Sequence, residues 1–194
     1  MDFEFISFGN AYFLQYDCPG YPEYDRSDGV ACWQAKCGVS DPPSGCFDMD
    51  NLACQHGDDE CTGNAIETCV KHLAPDWKDY MAFNYCYEGL YPPSSSDVAS
   101  CAASIGLTAD SIIGCTSDAS LLSSLTQPEA YATAQAAIPG TPTVVLNGSQ
   151  LSSTRLLTRQ VCKAYASQNP GASTPVGCAV NAMLRGSTGK TSKE

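Results

Sequence analysis

The sequence predicts an α+β domain held together by disulfides. Two observations support this: strand signals stand at both ends of a block of helical segments, and twelve cysteines are spread through 194 residues. Phe3 to Phe8 is rich in aromatic and β-branched residues and ends at Gly9-Asn10, so it reads as a short strand closed by a turn. Thr143 to Leu146 reads as a second strand, and Asn147-Gly148 after it is a strong hairpin signal.

Between these ends the elements follow in order. Residues 12–53 contain Pro19, Pro22, Pro42, Pro43 and no sustained periodicity, so they are expected as a long loop. Loops of that length need ties, and Cys18, Cys32, Cys37 and Cys46 are available as stapling disulfides. Helical periodicity starts after Gly57, with Asp58 and Asp59 suited to the N-cap and first turn and Pro75 marking the end. Cys61, Ala65, Ile66, Cys69, Val70 and Leu73 share one side of that helix. At about 1.5 Å per residue, Cys61 and Cys69 lie roughly 12 Å apart along it, beyond the Cα reach of a disulfide of about 7 Å. Each must therefore reach a different segment if it is oxidised. Further helices are expected at Trp77–Glu88, Ser96–Ile105, Thr108–Cys115, Ser120–Ala137 and Ser153–Ser167, followed by a disordered tail over 185–194. No composition shift marks a second domain, so one domain is expected over residues 1–184.

Cysteines 18, 32, 37, 46, 54, 61, 69, 86, 101, 115, 162 and 178 are too many for an ordinary cytosolic protein, so they imply an oxidising compartment. Their even number permits six disulfides, with the connectivity left open. Ten basic against twenty-one acidic residues give a formal net charge of −11, which disfavours nucleic acid and anionic membranes as partners. No stretch reaches the roughly 18 to 20 apolar residues of a membrane span. Met1-Asp2-Phe3-Glu4-Phe5 lacks the basic and apolar regions of a signal peptide, so export is expected to depend on residues upstream of Met1.

The densest pattern runs from Cys54 to Cys69: Cys54, Gln55, His56, Gly57, Glu60, Cys61, Asn64 and Cys69 stand in the register C-Q-H-G-x2-E-C-x2-N-x4-C. It resembles the signature of the gamma-interferon-inducible lysosomal thiol reductase family. Ser7-Phe8-Gly9-Asn10-Ala11 resembles the Pro-aromatic-Gly-Asn-Ala motif of the same family, with serine in place of proline. Gly140 to Gly148 resembles the cis-proline strand of thioredoxin-like proteins.

The resemblance implies an α/β thioredoxin-like fold with a helical, disulfide-rich insertion, and a redox C-x-x-C pair upstream of the signature. No two cysteines here have that spacing, so the pair, the first strand and the first helix of the fold are all expected upstream of residue 1. In that family's terms residues 12–53 are an enlarged Cys-rich loop. Thr141 and Pro142 would bind substrate, because a cis bond turns the preceding backbone outward toward an extended peptide. The implied activity is thiol-disulfide exchange on protein disulfides in a lysosomal or secreted setting, with a thiol reductant as co-substrate and no cofactor. The alternative is a non-catalytic, disulfide-stapled luminal binding protein that uses the 12–53 loop for contacts.

Cys54, His56 and Cys61 do not make a convincing zinc site, because structural zinc wants a second ligand pair; no metal is expected. His56 is expected instead to hydrogen-bond in the turn before the helix, and His72 to face the helix C-terminus or solvent. Asn147-Gly148-Ser149 is a glycosylation sequon placed in the hairpin turn.

Overall fold

The computed structural model describes residues 4–21, 26–90 and 95–179. The chain forms two compact units, residues 1–139 and 140–194. The tail over 185–194 and the expected domain end at 184 lie outside the described residues.

In the first unit, β1 (Tyr12–Phe13) leads to helix α1 (Arg26–Cys37) and then to β2 (Leu52–Ala53), which returns antiparallel to β1 with Tyr12 opposite Ala53. Residues 12–53 are therefore not loop throughout, and the expectation of a long unstructured segment is corrected. Gly29 and a poorly segregated polar pattern hide α1 from a periodicity reading. Tertiary packing forms it: Trp33 is fully buried, and its indole N–H donates to the Cys46 carbonyl at 3.1 Å. Disulfides Cys18–Cys32 and Cys37–Cys46 tie the helix to its flanks. Gly29 is required because a Cβ there would stand 2.9 Å from the Tyr12 hydroxyl and 3.2 Å from the Pro19 carbonyl. Phe8 stacks on Phe13, Trp33 meets both at a tilt with centroids 5.7 and 6.1 Å away, and Phe47 meets Phe13 and Trp33 edge-on.

A second core is built on helices α2 (Asp58–Leu73), α3 (Trp77–Glu88), α4 (Ser95–Ser104) and α5 (Ala109–Ser117) around Val70, Phe83, Tyr87, Cys101 and Ile112. Helix α6 (Ala119–Ala136) packs on α1, α2 and α5 and so borders both cores. The five helices expected after Gly57 and before residue 138 are present, α3 with the expected bounds. Short side chains cap three of them. Lys78 N–H donates to Asp76, Ser111 N–H to Thr108, and both Ser120 and Leu121 N–H to Asp118.

The strand expected over Phe3–Phe8 does not form; Phe3 lies outside the described residues, and residues 4–10 are irregular or turn. The backbone there is committed to side chains instead of a ladder. Ser7 N–H donates to Glu129 Oε2 at 3.2 Å, and the Phe8 carbonyl accepts from Asn64.

In the second unit, β3 (Val145–Leu146) and β4 (Ser149–Gln150) form the hairpin read from Asn147-Gly148. Asn147 and Gly148 have φ of 51° and 76°, the left-handed pair that a two-residue hairpin turn demands. A 3-10 turn, Thr154–Leu156, runs into helix α7 (Leu157–Gln168), matching the expected Ser153–Ser167 element. Cys162–Cys178 ties α7 to the segment after it. Among the described residues no single helix is long and apolar enough to cross a membrane.

Candidate functional site

The signature residues converge on the start of α2 and lock it to the Ser7–Ala11 turn. Gly57, with φ of 86°, is the residue before the helix, so Asp58, Asp59 and Glu60 form its acidic first turn and neither aspartate is the N-cap. Glu60 reaches back: its Oε2 accepts the His56 backbone N–H at 2.6 Å and lies 2.9 Å from His56 Nδ1. Gln55 Oε1 accepts from Asn10 Nδ2 at 2.8 Å, and Asn64 Nδ2 donates to the Phe8 carbonyl at 3.3 Å. Gly9, with φ of 63°, makes the turn that these two side chains hold.

Cys54 bonds Cys61, with Cα atoms 5.6 Å apart, and closes this knot covalently. Cys69, at the far end of the signature, bonds Cys115 and staples α2 to α5. The two helix cysteines thus reach different segments, as their separation along α2 requires. Cys86–Cys101 joins α3 to α4. All twelve cysteines are paired, so none stands as a thiol able to attack a disulfide.

Beside the knot lies a buried polar cluster that the sequence reading missed. Glu129 of α6 accepts from Ser7 Oγ at 3.0 Å as well as from Ser7 N–H, and Thr68 Oγ1 lies 2.8 Å from Ser7 Oγ. Lys71 Nζ pairs with Glu129 Oε1 at 3.0 Å and donates to the Phe5 carbonyl at 2.7 Å. Glu67 is buried on α2, and its Oε1 has no hydrogen-bond partner among the described residues; Asn84 Oδ1 on α3 is likewise unpartnered. Burial, then the charge and hydrogen bond of Glu88, then the charge of Glu129, push the Glu67 carboxyl up to about 8. Burial, then the charges of Glu67 and Glu88, push Tyr87 up to about 12. Glu129, from a distant helix, holds Lys71 in this cluster.

The second unit holds the remaining predicted residues by itself. The Thr141–Pro142 peptide bond is cis, and both residues are exposed. Leu151 N–H donates to the Val144 carbonyl at 2.8 Å, which extends the hairpin by one bond. Asn147 is exposed at its tip.

Chemically, the first unit presents a rigid, oxidised scaffold, and the second presents a hairpin entered through a cis proline. No curated protein matches the chain. A protein-family model described as Gamma interferon inducible lysosomal thiol reductase (GILT) matches residues 41–105. That span, a third of the chain, contains the whole Cys54–Cys69 signature, and over it the chain is similar to that family.

Proposed function

We propose that the chain is the scaffold of a thiol-disulfide oxidoreductase acting on protein disulfides in an oxidising lumen, lysosomal or extracellular. Its exchanging cysteine pair would be supplied from outside residues 1–194. The observation that carries this reading is the intact signature within the family match at 41–105. The cis Thr141–Pro142 bond supports a role for these two residues in receiving an extended substrate peptide. Six disulfides fit an oxidising compartment, and the exposed Asn147 sequon fits glycosylation there.

In the reaction, a thiolate of the pair attacks a substrate disulfide, forming a mixed disulfide and releasing one substrate thiolate. The second cysteine then displaces the other substrate sulfur. The pair ends oxidised, and a thiol reductant restores it.

A second reading is favoured by one observation: every cysteine of the chain is already bonded to another. On that reading the chain is a non-catalytic, stapled binding protein. Intact mass and N-terminal sequencing of the protein isolated from its source, before and after thiol alkylation, separate the two. A C-x-x-C that alkylates only after mild reduction, together with reduction of a protein disulfide by the isolated protein, is the result expected for the reductase. A mature chain with no cysteines beyond these twelve, all resistant to alkylation, establishes the second reading.

A further inference from the structure

The charge of this chain is segregated along its length. Residues 140–194 hold six of its ten basic residues and only one, Glu194, of its twenty-one acidic ones. Four basic and twenty acidic residues are left for 1–139, so a formal −16 on the first unit stands against +5 on the second. From Ala130 to Lys193 there is no carboxylate side chain at all.

Within the second unit the cations form a line. Arg159 and Lys163 stand four residues apart on α7 and share one helix face, and Arg155 precedes them by a further four residues in the 3-10 turn that enters the helix. All three are exposed, and none has an ion-pair partner among the described residues. Leu157, Val161 and Tyr165 are each offset by two residues, roughly 200° around the helix, and so lie on the opposite side. The cations consequently face water.

We infer that the Arg155–Arg159–Lys163 face is a docking surface for an acidic polypeptide segment. The line spans about 12 Å, with a step of about 6 Å between cations. An extended peptide repeats its side chains on one face every 6.6 to 6.8 Å or so. Acidic residues at alternate positions of an extended segment therefore fall opposite successive cations, and two of the three cations are arginines suited to bidentate carboxylate contact. The inference stands apart from the thiol-disulfide reading, because it concerns binding alone.

The test uses the full chain with its disulfides intact and a fluorescently labelled oligoglutamate peptide, followed by anisotropy. Binding that weakens steadily as salt rises is expected. Combined Arg155→Glu, Arg159→Glu and Lys163→Glu should lower affinity on the order of tenfold or more, whereas Lys78→Glu on the first unit should leave it unchanged. The milder set Arg155→Gln, Arg159→Gln and Lys163→Gln gives a smaller loss in the same direction and decides the matter if the reversed variant fails to fold. Failure of oligoglutamate to bind, or binding indifferent to these substitutions, overturns the proposal. So does binding of heparin, single-stranded DNA or phosphatidylserine vesicles in place of oligoglutamate.

Discussion

Ser7 and Glu129, 122 residues apart in sequence, are joined twice: the serine backbone N–H and hydroxyl both donate to Glu129 Oε2, at 3.2 and 3.0 Å. A proline at position 7, as in the motif this segment resembles, would have neither group to give. The serine therefore matches the buried carboxylate of α6, and Lys71 balances that carboxylate from α2.

Glu129→Ala should destabilise the folded chain by roughly 3 kcal/mol, because it leaves the partly buried Lys71 ammonium without its buried counter-charge and the buried Ser7 N–H without its acceptor. Glu129→Gln should cost less, since the amide oxygen still accepts from Ser7. Denaturant midpoints of the two variants, measured with disulfides intact, provide the comparison.

The buried Glu67 makes stability depend on pH. Unfolded, its carboxyl ionises near 4.5; folded, it holds its proton up to about 8. The contribution of the neutral group is therefore fully present below about pH 4.5 and is lost progressively as pH rises toward 8. It amounts to a few kcal/mol in order of magnitude. Urea midpoints should fall across that window, and Glu67→Gln should flatten the fall. A wild-type profile that rises from pH 4.5 to 8, with Glu67→Gln lacking the rise, would contradict the assignment.

Loop length ranks the staples. Cys69–Cys115 closes 46 residues and Cys54–Cys61 only 7. Replacing the first pair by alanines should cost about 4 kcal/mol and the second about 2.4 kcal/mol, by loss of the loop restraint on the unfolded chain. Thermal unfolding of the two double variants reads out the order.

Gly38 follows α1 where it crosses α6. A Cβ there would stand 2.6 Å from the Ala134 carbonyl and 2.7 Å from the Gln34 carbonyl, both backbone atoms that cannot swing away. Gly38→Ala should force the two helices apart at a cost of about 2 kcal/mol. Gly114→Ala, with open space around it, should be neutral or slightly stabilising in α5. Parallel denaturation curves test the contrast.

What was legible in the sequence was local in origin. Helix α2 announced itself through apolar spacing and the Pro75 that ends it, and the β3–β4 hairpin through Asn147-Gly148, because these signals act within a few residues. The register of the signature likewise placed Cys61 and Cys69 too far apart along one helix to bond. The remaining features depended on residues distant in sequence. Trp33 becomes a core residue and α1 a helix only when the 12–53 segment folds over Phe8 and Phe13. Residues 4–8 lose their strand character because Glu129 and Asn64 take their backbone bonds. Six pairings among twelve cysteines, and a glutamate that keeps its proton near neutrality, were decided by the tertiary structure. Disulfide reach and desolvation depend on which surfaces meet in space, and no local periodicity encodes that meeting.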